Sequence, residues 1–93
     1  MKLNKKSKHV CSLIFKEIKQ IVPNSLVQFQ STVDDEGIVL VWVFDVAERL
    51  VGTVEDIVFD LDYEHRENLD IHLIPHIKNK ETTKQYYPEY IKR

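Results

Sequence analysis

The succession of apolar patterns along this chain predicts a small α/β (α+β) domain in the order α-β-β-α-β. Three observations carry that prediction. Apolar side chains over residues 7–22 recur at three- and four-residue steps, the spacing of one helix face. Residues 25–46 switch to two-residue alternation around the turn signal Asp34-Asp35-Glu36-Gly37. A second helical stripe over 47–65 is followed by renewed alternation over 69–74. Ninety-three residues have room for one core, so 1–93 reads as a single domain. The expected architecture is a three-stranded sheet with two helices on one face and a Tyr/Lys-rich tail over 77–93.

In the first helix, Val10, Cys11, Ile14, Phe15, Ile18, Ile21 and Val22 form the apolar stripe, Ser7 is the expected N-cap, and Pro23 stops the helix. The first strand, 25–33, places Val27, Phe29 and Val33 on one face and Gln28, Gln30 and Thr32 on the other. The second strand, 38–46, is apolar on both sides: Ile38, Leu40, Trp42, Phe44 and Val46 alternate with Val39, Val41 and Val43. Such a strand expects cover on both sides. With both helices on the Trp42 side, Val39, Val41 and Val43 would form an apolar patch, closed either by the tail tyrosines Tyr86, Tyr87 and Tyr90 or by a homodimer or partner interface.

Asp45 and Glu48 have capping-box spacing for a second helix starting near 46, and Thr53 with Asp56 is a rival start favoured by Gly52. From either start Leu50, Val54, Ile57, Val58 and Leu61 make one stripe. In the third strand Leu69, Ile71 and Leu73 point inward and Asp70 and His72 outward, with Pro75 ending the pairing. The crossover through the second helix should lay this strand parallel to the second. The tail is broken by Pro88 and has room for a short helix over 81–87.

Charge is strongly segregated behind a net charge of −2. Residues 1–24 carry six Lys and one Glu, residues 25–76 carry two Arg against twelve acids, and residues 77–93 carry five basic and two acidic residues. An acidic body with basic ends points to charge-guided binding. Cys11 is the single cysteine, which excludes an internal disulfide and fits a reducing compartment. The apolar run 10–15 is too short for a signal sequence and meets Lys16 without a cleavage site, and no stretch approaches a membrane span. The expected location is the cytoplasm.

The second helix carries the candidate partner-binding surface. At 100° per residue, Phe59 and Tyr63 fall opposite the apolar stripe, among Glu55, Asp56, Asp60 and Asp62. Rings would supply buried area, and carboxylates would select and steer a basic partner. The competing reading is that the tail packs on Phe59 and the acids only solubilise. His65, Asp70, His72 and His76 are metal-compatible types, but alternate strand positions about 6–7 Å apart do not converge on one ion, so no metal is expected. Asp60 and Asp62 diverge by about 200° on a helix and make no acid–base pair. With only Gly37 and Gly52, no phosphate-binding loop or nucleophile elbow exists, and neither enzymatic activity nor a cofactor is expected. The lysines and tyrosines of the ends suit nucleic acid, against which the acidic body argues.

The set Glu55, Asp56, Phe59, Asp60, Asp62 and Tyr63 on a small acidic-bodied chain is similar in kind to bacterial toxin-neutralising proteins. These are immunity proteins, including those paired with contact-dependent growth-inhibition toxins, and some antitoxins. The resemblance implies an acidic surface that either occupies the basic groove of a nuclease domain as a phosphate mimic or binds beside it and blocks access. Two alternatives stand beside this inhibitor reading: a homodimeric structural subunit using Val39, Val41 and Val43, and a metal-dependent or nucleic-acid-binding module.

Overall fold

The computed structural model describes residues 4–31 and 37–91. Its elements are α1 (Lys5–Ile21), β1 (Leu26–Ser31), β2 (Ile38–Val46), α2 (Glu48–His65), β3 (His72–Asn79) and α3 (Lys80–Tyr86). Single 3-10 turns cover Arg66–Asn68 and Pro88–Tyr90. The order α-β-β-α-β holds, with the tail adding α3 and the last turn. Thr32 and Val33 of the expected strand 25–33 and the turn residues 34–36 lie outside the described residues.

The sheet runs β1-β2-β3, with β1 antiparallel and β3 parallel to β2. The parallel pairing is what a strand–helix–strand crossover requires. Both long helices cover the same sheet face. Their buried residues Val10, Cys11, Ile14 and Ile18 from α1 and Val54 and Val58 from α2 share one core with the sheet's valines and Leu73.

That core corrects the expected orientation of β2. Val39, Val41 and Val43 are 2%, 0% and 0% exposed and lie under the helices, so they are neither an open patch nor a dimer face. Trp42 and Leu40 occupy the other face. The hairpin register is the cause: Val27 pairs with Val43 and Phe29 with Val41, while Gln28 pairs with Trp42 and Gln30 with Leu40. Cross-strand partners share a face, so the outward glutamines of β1 carry Trp42 outward with them. An irregularity between Val43 and Val46 then shifts the alternation, and both residues stay in the core.

Asp45 sits in that irregularity with φ 66°, a left-handed conformation that Asp tolerates better than most residues. Its N–H donates to Thr83 Oγ1 at 2.9 Å, and its carboxylate lies 3.3 Å from Lys80 Nζ. Asp45 therefore anchors α3 and does not cap α2, whose N-cap is Ala47 with no side-chain bond. Ser7 is likewise not the cap of α1. Asn4 Oδ1 accepts from the Ser7 N–H at 2.7 Å, and the buried Ser7 hydroxyl donates to Asp70 Oδ1 at 2.5 Å. The Asp70 carboxylate also accepts from the Asn4 N–H, placing negative charge at the positive end of α1.

Pro75 does not end β3, which continues to Asn79. It stands opposite Val41 on an edge strand, where a missing N–H can face outward without breaking the sheet. Gly52 lies inside α2, and a Cβ added there meets nothing within 4 Å. Gly52→Ala is expected to raise stability by about 0.5–1 kcal/mol by removing backbone freedom from the unfolded chain. A thermal melt should show an upward shift of a few degrees.

Candidate functional site

The outward face of α2 follows from its buried one. Val54, Val58 and Asp62 point into the molecule, which turns Phe59 and Tyr63 to solvent at 52% and 75% exposure. Asp56 and Asp60 are exposed beside them, and Glu55 is half-buried at the margin. The Arg66 guanidinium sits 5.6 Å from the Tyr63 ring centroid and holds one side of it. Two large rings thus stand among three carboxylates on a face that the sheet does not use.

Asp62 does not belong to this surface. It is 3% exposed, and its Oδ1 accepts the Leu73 N–H at 3.1 Å. Oδ2 lies 3.2 Å from His72 Nδ1 and 3.6 Å from Arg66 Nη2. The expected grouping with the outer acids does not hold: Asp62 follows Val54 and Val58 at four-residue steps on the buried side, and the start of β3 takes its carboxylate as a backbone acceptor. Asp60 and Asp62 consequently face opposite environments.

The tail is committed elsewhere. Tyr87 and Tyr90 pack on the open sheet face, with ring centroids 5.2 and 4.3 Å from Phe44. Tail cover of the sheet is therefore real, but it falls on Phe44 and Trp42, and Tyr86 takes no part at 66% exposure. Trp42 stacks in parallel with Phe44 at 5.8 Å, donates from Nε1 to Gln30 Oε1 at 2.8 Å, and meets the His76 ring at 4.7 Å. Burial, and secondarily the charge of Lys78, hold the His76 imidazole below its ordinary range, favouring the neutral ring against Trp42. A groove of about 460 Å³ runs between β1 and the last turn. The alternation of Gln28 and Gln30 in β1 was the sequence signal that could have located this face.

His72, His76 and Cys11 have packing or hydrogen-bond roles of their own. Among the described residues no cluster of three or more His, Cys, Asp or Glu side chains could hold a metal ion. His72 is held by Asp62, and His76 by Trp42. Cys11 is buried in the core, which pushes its thiol up to about 11 and leaves it a poor nucleophile. No described helix is long and apolar enough to cross a membrane. Comparison with protein-family models, with curated proteins and with solved structures finds no match to this chain.

Proposed function

We propose that this chain is a non-enzymatic protein-binding module, an immunity-like inhibitor that neutralises a basic partner such as a nuclease toxin in the cytoplasm. The observation that supports this reading is the pair Phe59 and Tyr63, exposed on an acidic helix face while the tail tyrosines pack on the sheet. Burying two such rings against a partner supplies the apolar area of a hot spot, and Glu55, Asp56 and Asp60 complement lysines and arginines around it. Asp62 contributes from beneath, by fixing the helix to β3, without touching the partner. The homodimer reading loses its interface, because Val39, Val41 and Val43 are core residues.

Capture from the native organism's lysate, compared between wild type and Phe59→Ala/Tyr63→Ala, tests the assignment. A basic protein should be retained by wild type and lost with the variant. With that protein purified, each single substitution should weaken binding by about thirtyfold, and the affinity should fall as salt rises. Variants that melt like wild type and bind equally well would remove α2 as the surface.

A further inference from the structure

The groove on the opposite side of the sheet carries a second recognition chemistry. It is lined by Trp42, Tyr87 and Tyr90 over a buried Phe44, and on its β1 side by Gln28 and by Gln30, whose amide oxygen accepts from the Trp42 indole. Glu89 is the sole charged side chain among the described residues lining it. We propose that this groove binds a cationic side chain, an arginine guanidinium, presented by an extended segment of a partner protein.

Three features select that occupant. Aromatic faces carry negative potential, so several rings lining one groove favour a cation over them. The chain already uses this chemistry on the β3 side of Trp42, where Lys78 Nζ stands 5.5 Å from the ring centroid, whereas the groove is lined from the β1 side. A guanidinium is also flat enough to stack on a ring while its fork of donors reaches an amide oxygen and a carboxylate. The Glu89 carboxylate and the Gln28 amide oxygen are such acceptors, and Glu89 is exposed at the rim. Among the described residues lining the groove, none offers a phosphate a counter-charge. The groove volume of about 460 Å³ suits one long side chain with its flanking backbone. The site lies across the sheet from Phe59 and Tyr63 and does not depend on them.

Trp42 is the only tryptophan of the chain, so its emission reports occupancy directly. The probe is the peptide acetyl-Arg-Gly-Arg-Gly-Arg-amide, titrated beside the same peptide with citrulline at each arginine and beside an eight-residue oligothymidine. The arginine peptide should give a saturable change in Trp42 emission. Citrulline, which keeps the shape and loses the charge, should bind at least about fivefold more weakly, and Glu89→Gln should cause a similar loss. The Phe59→Ala/Tyr63→Ala variant should bind the peptide like wild type, which separates this site from the α2 surface. Absence of a saturable response to the arginine peptide, equal binding of the citrulline peptide, insensitivity to Glu89→Gln, or a response to oligothymidine alone would each overturn the proposal.

Discussion

Val41→Asp is expected to abolish folding, while Leu40→Asp, one residue earlier on the same strand, leaves a folded protein. Val41 is 0% exposed beneath both helices, and among the described residues no cationic side chain belongs to the core around it. An isolated carboxylate there must either ionise without a partner or remain protonated, and either course costs several kcal/mol. A domain of this size holds about 5–15 kcal/mol in total, so a loss on that scale is decisive. Leu40 is half-buried on the open face opposite Gln30 and Ile74, where a carboxylate keeps contact with water. Its replacement should cost about 1–2 kcal/mol, chiefly in lost apolar contact. Far-UV circular dichroism and urea titration distinguish the two. A folded Val41→Asp variant beside an unfolded Leu40→Asp variant would mean that β2 faces the other way.

Asp62→Ala is expected to destabilise the protein by about 3 kcal/mol, far more than an acid on an open helix face would. The substitution leaves the Leu73 N–H buried without an acceptor and removes the carboxylate that His72 and Arg66 approach. Arg66 is well exposed, so its share is small, and most of the loss belongs to the unpaired N–H. Asp62→Asn keeps an oxygen acceptor for Leu73 and should cost roughly half as much. Urea midpoints for the two variants and for Asp60→Ala make the comparison. Asp60→Ala should stay within about 0.5 kcal/mol of wild type. Equal, small effects at positions 60 and 62 would return Asp62 to the outer face.

The helices and strands were legible because each has a period that local chemistry imposes. α1 and α2 show their stripes at helical spacing, and β1 shows alternation with glutamines on one side. The candidate surface was legible to the same extent: Phe59 and Tyr63 lie opposite Val54 and Val58 on any helical wheel, and they are exposed. Asp62 shares the four-residue spacing of Val54 and Val58, so helix periodicity puts it on the buried side. Its charge argues for the outer face, and the partner that lets a carboxylate be buried there, the Leu73 N–H, comes from β3, eleven positions onward. Ser7 was misread as a cap for a related reason. Its hydroxyl has a partner in Asp70, sixty-three residues away, which no local capping rule anticipates.

From the sequence alone follow the element order, the single domain, the segregation of charge and the outward rings of α2, since these depend on periodicity and on sums over neighbouring residues. Tertiary structure decided which side of β2 is the core. That strand is apolar on both faces, so its own pattern is silent, and the hairpin register couples Val43 and Val41 to Val27 and Phe29, and Trp42 and Leu40 to Gln28 and Gln30. A shift of one residue would have exchanged the two faces entirely. The same choice sent Tyr87 and Tyr90 to Phe44 and created the aromatic groove, because the tail covers whichever apolar face the helices leave open.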